Sequence, residues 1–182
     1  GDAFQPQYIE VPNAGLCLLI IWLPRLFNML SLLTEDGSDL KDTEARVKAI
    51  FILQRLVTDE PQEYKEQELA FNRILTGCPF QVPLPKTLKL ADYEIMTIES
   101  MIIGIKNNCE KFKNISAKGF QLNFIERPGR LEQREDKWVL YVEGRSYDML
   151  LDFLPWSYRL VQLPWLEKRI NVVWRDKGEF DF

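Results

Sequence analysis

The segment LLDFLPWSYRLVQLPWLEKRINVVW, residues 150–174, contains the tripeptide Leu-Pro-Trp twice, with the second copy nine residues after the first. Proline fixes its own φ and pushes the preceding residue towards extended backbone, so each copy predicts a corner of the chain. Residues 146–154 have helical spacing, and residues 170–174 alternate as in a strand. We therefore expect Pro155 and Pro164 to hold the two ends of one crossover from helix to sheet.

Each corner also carries a tryptophan, Trp156 in the first copy and Trp165 in the second. A tryptophan side chain offers a large apolar area and one polar N–H, which suits both the edge of a core and an interface. We expect both rings to cover the core, packed on the 146–154 helix and on the sheet, with Trp156 the more important for folding. The alternative is that the corners form a docking surface, in which case loss of the rings leaves the isolated domain stable.

Three further segments predict strands or strand connections. Residues 138–142 alternate between apolar and other side chains, and the polar residues 133–137 before them predict the turn of a hairpin with a strand near Leu131. Residues 8–11 predict a short strand that Pro12 closes.

Helical spacing predicts four further helices, over residues 43–60, 69–76, 95–112 and 116–124. Thr43 or Asp42 is the expected N-cap of the first, and Gly77 ends the second. Residues 15–33 are apolar on every helical face, which predicts a helix buried on all sides. Pro24 should kink or divide that helix.

Together these patterns predict one α+β domain over residues 1–182, mainly helical with four or more helices and a small antiparallel sheet. A chain of 182 residues is long enough to bury a real core, about 70% of the surface that it exposes when unfolded. Residues 1–8 are expected to be a poorly ordered lead-in and residues 175–182 a tail.

Charge and composition exclude several classes of function. The net charge of −4 argues against binding to nucleic acid, and the lysine-rich run at 106–114 is expected to be a solvated helix end. The apolar run at 14–24 has eleven residues, whereas a membrane-spanning helix needs about 20. The three widely spaced cysteines, Cys17, Cys78 and Cys109, predict small buried hydrophobes in a reducing compartment.

The residue types of common catalytic sites are missing. The chain has no histidine, the commonest general base and metal ligand, and it has no glycine-rich phosphate loop. We therefore predict no catalytic residue, no cofactor and no metal site. Asp148 and Asp152 lie one helical turn apart and would be the carboxylate pair of a hydrolase or transferase, although such residues are more often solvated helix charges.

A family resemblance extends over most of the chain, in five segments that cover residues 13–33, 49–58, 68–79, 112–131 and 138–174. Its most specific parts are the Asn-Ala-Gly opening at 13–15, the Leu-Pro-Arg-Leu-Phe string at 23–27 and the paired Leu-Pro-Trp. In these parts the chain resembles the module of contractile injection system tape measure proteins, which belong to phage-tail-like particles. Because a length-setting ruler must be long and extended, the ten prolines and nine glycines indicate a globular module, with the ruler segment outside it or absent.

The resemblance implies a non-enzymatic structural protein that anchors or organises the tape measure at the inner tube or baseplate. Its implied partners are tube, baseplate or other particle proteins, without nucleic acid or membrane insertion, and oligomerisation inside the particle is left open. The implied location is the bacterial cytoplasm during assembly and then the particle. An adaptor or chaperone-like module of the same or another secretion system is the alternative. The candidate structural or interface residues are Trp22, Pro24, Arg25, Pro155, Trp156, Pro164 and Trp165.

Overall fold

A computed structural model of the chain describes residues 7–175. Its five strands are β1 (Gln7–Val11), β2 (Gly129–Gln133), β3 (Lys137–Val142), β4 (Leu160–Val161) and β5 (Arg169–Val173). Its α-helices are α1 (Leu23–Met29), α2 (Thr43–Val57), α3 (Ala70–Thr76), α4 (Asp92–Asn107) and α5 (Ala117–Phe120). Four 3₁₀ helices cover Ala14–Trp22, Glu66–Leu69, Glu110–Phe112 and Asp148–Phe153, and a π-helix covers Gln121–Ile125. The fold is therefore α+β and mainly helical, as predicted.

The expected lead-in and tail fall mostly outside the described residues. Residues 1–6 and 176–182 lie outside them, and β1 begins at Gln7, inside the segment that was expected to be a lead-in. No helix within the described part of the chain has both the length and the apolar character that crossing a bilayer requires.

The strands form one sheet in the order β1-β2-β3-β5-β4. The hairpin of β2 and β3 is antiparallel, as predicted, and so are the β1–β2 and β4–β5 pairs. The prediction of a purely antiparallel sheet is wrong, because β3 and β5 run parallel, with Leu140 beside Val172. The physical reason is the crossover of residues 143–168, which carries the chain from the end of β3 back to the edge of the sheet where β3 begins. β5 therefore runs in the same direction as β3.

The apolar segment after β1 is divided at Pro24, but its first half is not an α-helix. Ala14–Trp22 is a 3₁₀ helix, and α1 begins at Leu23 with Pro24 in its first turn, where a missing N–H leaves no hydrogen bond unmade. The backbone of the π-helix lies directly against this 3₁₀ helix. A Cβ atom added to Gly15 would lie 1.9 Å from the carbonyl oxygen of Phe124, so only glycine fits there.

The predicted start of α2 and the predicted end of α3 are confirmed, whereas α2 ends at Val57, three residues before residue 60. The Asp42 side chain accepts a hydrogen bond from the Ala45 N–H at 2.7 Å, which makes Asp42 the N-cap of α2. Gly77 follows α3 with a φ of +69°, the left-handed conformation that ends a helix. The core cluster that these helices build together with the 3₁₀ helix and the inner face of the sheet includes Cys17, which is buried like the other two cysteines.

The helix predicted over residues 95–112 ends earlier, at Asn107. The Lys106 ammonium donates to the carbonyl of Lys113 at 2.9 Å and lies 3.4 Å from that of Phe112, so the chain folds back over the end of α4. Lys106 is therefore buried, and the expectation of a solvated helix end is wrong at this residue. The 146–154 helix is also shorter than predicted, a 3₁₀ helix over Asp148–Phe153.

Candidate interaction surface around α1

The indole N–H groups of the two Leu-Pro-Trp corners both donate to backbone carbonyls of other elements. Trp156 Nε1 lies 2.9 Å from the oxygen of Leu18 in the 3₁₀ helix, and Trp165 Nε1 lies 2.8 Å from that of Leu75 in α3. Both rings are half-buried. The crossover is therefore attached at two points to helices that are distant in sequence.

The same two rings also contact aromatic side chains at α1. Trp156 meets Trp22, the residue before α1, edge to face at 4.4 Å between ring centroids, and Trp165 meets Phe27 in α1 at 5.7 Å. We predicted that these rings pack on the 146–154 helix and the sheet. Their hydrogen bonds and ring contacts instead join them to the 3₁₀ helix, α3 and α1. A half-buried indole needs an acceptor for its N–H, and carbonyls of the 3₁₀ helix and α3 provide it.

The structure places five of the seven sequence-predicted residues at α1 or in contact with it, and the other two, Pro155 and Pro164, precede the two contacting tryptophans in the chain. Trp22 precedes the helix, while Pro24 and Arg25 lie in its first turn. Trp156 contacts Trp22, and Trp165 contacts Phe27. Pro155 and Pro164 are exposed beside their tryptophans.

Arg25 and Met29 are exposed on α1, and Ile21 is exposed near the end of the 3₁₀ helix that leads into it. Ile21 is 54% exposed and Met29 is 53% exposed. Arg25 forms no ion pair with any residue that the structure describes. We call Ile21, Trp22, Pro24, Arg25 and Met29 the α1 surface.

A buried amide cluster, which the sequence did not reveal, fixes the start of the 3₁₀ helix that leads into α1. Asn13 Nδ2 donates to Asn72 Oδ1 at 2.7 Å and to Gln54 Oε1 at 3.2 Å, which joins this helix to α3 and α2. The N–H of Ala14 donates to the carbonyl of Arg127 at 2.8 Å. Gly15 is the point of backbone contact with the π-helix. Each of the three residues of the Asn-Ala-Gly opening therefore makes a contact that holds the fold together.

A buried ion pair, also missed from the sequence, holds the crossover from the other side. Arg127 and Asp148 are 0% and 1% exposed, and their two hydrogen bonds measure 2.7 and 2.8 Å. Trp174 Nε1 and the Arg145 N–H also donate to the Asp148 carboxylate, at 3.0 and 2.8 Å. Burial acts to raise the pKa of Asp148, but the hydrogen bonds from Arg127, Trp174 and the Arg145 backbone outweigh it and lower that pKa.

Asp148 and Asp152 do not form a carboxylate pair. Asp148 is buried against Arg127, which contradicts its interpretation as a solvated helix charge, whereas Asp152 is exposed and lies 2.7 Å from an Arg175 nitrogen. The sequence pattern did not show this difference because Arg127 lies 21 residues away from Asp148.

The described residues offer few other reactive groups. Within residues 7–175 no three histidine, cysteine or acidic side chains are grouped as metal ligands would be. Burial raises the pKa of the Cys17 thiol far above its usual range, which keeps this side chain protonated and unreactive. An open depression of about 390 Å³ beside Trp156 is lined by residues 151, 152 and 154–159.

Comparison with curated proteins gave no match, and neither did comparison with solved structures. A family model described as contractile injection system tape measure protein matches residues 2–174. That match contains every element described above, including both Leu-Pro-Trp corners and the Asn-Ala-Gly opening. The chain belongs to the contractile injection system tape measure protein family.

Proposed function

We propose that this domain anchors the tape measure protein at the inner tube or baseplate and that it binds neighbouring particle proteins through the α1 surface. Family membership supports a structural role in a contractile injection system and association with other proteins of that system. Anchoring at the inner tube or baseplate is our inference.

The observation that carries this proposal is the way in which α1 is held. Trp156 and Trp165 contact Trp22 and Phe27, and both indole N–H groups are bonded to backbone carbonyls. A surface that is fixed before binding loses little conformational entropy when a partner docks. Tryptophan and arginine are also the residue types that most often dominate the energetics of protein interfaces.

The surroundings of Asp148 agree with a role without catalysis. Asp148 is buried and accepts hydrogen bonds from Arg127, Trp174 and the Arg145 backbone, so its carboxylate is not open to a substrate.

The test is co-expression with the tube and baseplate proteins encoded beside this chain, followed by pull-down. We expect wild-type protein to recover at least one of them and Met29→Asp to lose it, because a carboxylate on the α1 surface disrupts an apolar contact. Met96→Asp is the matched control, since Met96 is 67% exposed on α4. Equal recovery by wild type and Met29→Asp would remove the α1 surface from the proposal, and no recovery by wild type would overturn anchoring itself.

Purified particles separate this function from that of an adaptor or chaperone. An anchoring module is retained in finished particles, whereas an adaptor leaves before assembly is complete. Mass spectrometry of purified particles should therefore detect peptides from residues 7–175, and their absence would favour the adaptor.

A further inference from the structure

We infer that two copies of the chain associate by pairing their β1 strands antiparallel, about a two-fold axis at Ile9. The inference does not depend on the α1 surface. It comes from the open edge of β1 and from two exposed charges beside that edge, Glu10 in β1 and Arg130 in β2.

β1 is an edge strand with an unused line of backbone groups. It pairs with β2 over all five of its residues, and it stands at one end of the strand order. No other hydrogen bond joins its N–H or C=O groups to any residue within 7–175. Such an edge is a template for a further strand. β4, at the opposite end of the sheet, has only two residues and offers a much shorter template.

The Arg130 guanidinium contacts two tyrosine rings, one on each neighbouring strand. Its central carbon lies 5.3 Å from the centroid of the Tyr8 ring in β1 and 5.5 Å from that of Tyr141 in β3. Cation–ring contacts of this kind hold a guanidinium in place and leave its N–H groups able to donate. The position of the charge is therefore set before a partner arrives.

Glu10 lies directly opposite Arg130 across the β1–β2 pair, but the two side chains form no ion pair. Neither of them forms a hydrogen bond or an ion pair with any other residue in the described part of the chain. Both point away from the core, because the alternate residues Ile9 and Leu131 pack in the core cluster. One edge of the sheet thus presents an unpaired carboxylate and an unpaired cation on the same face.

A two-fold pair of β1 strands joins these opposite charges across the interface. The register that uses all five residues is centred on Ile9, so Glu10 of one copy lies directly opposite Tyr8 of the second copy. The Arg130 that contacts this Tyr8 belongs to the second copy as well, and it lies within reach of the Glu10 carboxylate. The symmetry forms this ion pair twice. On the other face the two half-buried Ile9 side chains meet at the axis and extend the apolar layer.

This charge pattern favours a second copy over a strand of unrelated sequence. Any extended segment supplies backbone hydrogen bonds, but it also needs a carboxylate opposite Tyr8 and a cation that reaches Glu10. β1 and β2 of a second copy have both in the required places. Because each copy uses its β1 edge and β4 is short, we expect assembly to stop at a dimer.

The test is sedimentation equilibrium of the full chain at protein concentrations from about 1 to about 100 μM, the range in which weak dimers dissociate and form. We expect the mass to rise towards that of two chains. Glu10→Arg and Arg130→Glu each place like charges together across the interface, so each should weaken the dimer at least about tenfold. Lys89→Glu, in the exposed connector between α3 and α4, is the matched control and should leave the dimer unchanged.

Mixing the two single variants separates a lost contact from a folding defect. An equimolar mixture of Glu10→Arg and Arg130→Glu chains restores opposite charges at both ion pairs of a mixed dimer, so it should associate more tightly than either variant alone. The double variant Glu10→Arg with Arg130→Glu should recover in the same way. A mixture and a double variant that both stay as weak as the single variants would overturn the inference.

Two further results would overturn the β1 dimer. One is a wild-type chain that keeps the mass of a single chain at the highest concentration, and recovery of tube or baseplate proteins by that monomer would leave the proposed function standing. The other is a dimer in which the β1 amides exchange their hydrogens equally fast at low and high protein concentration. We expect exchange at Gln7–Val11 to slow as the dimer forms, because pairing covers the open edge.

Discussion

Replacing the Asp148 carboxylate by an amide should strongly lower the stability of the fold. Asp148→Asn leaves the buried Arg127 guanidinium without a countercharge, and breaking a buried ion pair costs about 3 to 5 kcal/mol. Asp152→Asn is the matched control, because its ion pair with Arg175 is exposed and should contribute less than about 1 kcal/mol. Urea unfolding measures both, and similar losses in the two variants would show that the buried pair is not special.

The same carboxylate predicts how stability depends on pH. Its pKa in the folded protein is below that of an unfolded aspartate, about 3.9, so its contribution is present above that pH and is lost as the pH falls through the lower folded value. The difference in unfolding free energy between wild type and Asp148→Asn should therefore be largest near neutral pH and narrow as the pH is lowered to about 3. A difference that does not change with pH would contradict the lowered pKa.

The two corner tryptophans should contribute to stability as well as to the surface. Tryptophan-to-alanine changes in cores cost about 3 to 5 kcal/mol, and for these half-buried rings we expect values near the lower end. Trp156→Phe keeps an aromatic ring at this position but removes the hydrogen bond to the Leu18 carbonyl, which should cost about 0.5 to 1.5 kcal/mol. Denaturant midpoints equal to wild type for both Trp156→Ala and Trp165→Ala would show that the corners serve docking alone.

The residue roles that the sequence predicts correctly are those that depend on neighbouring residues in the chain. The Asp42 N-cap and the Gly77 helix end depend on neighbouring residues and were predicted correctly. The pairing of Arg127 with Asp148 depends on where β3 and the crossover bring the chain, and nothing in the spacing of charges along the sequence indicates it.

At the scale of elements, two glycines in helices should respond in opposite ways to the same substitution. Gly104 lies in α4 with open space where a Cβ would be, so Gly104→Ala should stabilise the domain by about 0.5 to 1 kcal/mol. Gly15→Ala would place a Cβ 1.9 Å from the Phe124 carbonyl and should prevent normal folding. Thermal unfolding distinguishes the two, and a neutral Gly15→Ala would contradict the backbone contact.

The elements that sequence reasoning misjudged are those whose geometry is set by packing. The apolar pattern of residues 15–33 predicted burial and the division at Pro24, but periodicity alone does not distinguish a 3₁₀ helix from an α-helix when every face is apolar. The parallel pairing of β5 with β3 was missed because alternation shows which residues form a strand and not the direction of its neighbour.

At the scale of the whole molecule, we propose that the described residues unfold as one cooperative domain. The larger of two core clusters joins the 3₁₀ helix, α2, α4 and the sheet, and the smaller one also includes residues of α2. Far-ultraviolet circular dichroism and tryptophan fluorescence should therefore report the same denaturant midpoint, since single domains of this kind usually unfold without populated intermediates. Two separated transitions would show that the chain contains more than one folding unit.

The sequence singled out Trp22, Pro24 and Arg25 of the α1 surface, but it indicated neither Ile21 and Met29 nor the contacts that hold this surface. The sequence singled out both Leu-Pro-Trp corners and the Trp22–Arg25 stretch, yet 138 residues separate Leu18 from Trp156, whose N–H it accepts. Only the assembled fold shows that one short helix, α1, connects all of them.

The position of β5 has a consequence for folding during synthesis of the protein. β3 gains its second neighbour only when residues 169–173 are available, and until then its open edge exposes unpaired N–H and C=O groups beside a hydrophobic face. A ribosome makes these residues after every other element of the sheet. The nascent chain therefore passes through a stage in which it is prone to aggregate, and a chaperone that covers the β3 edge during translation would raise the yield of native protein.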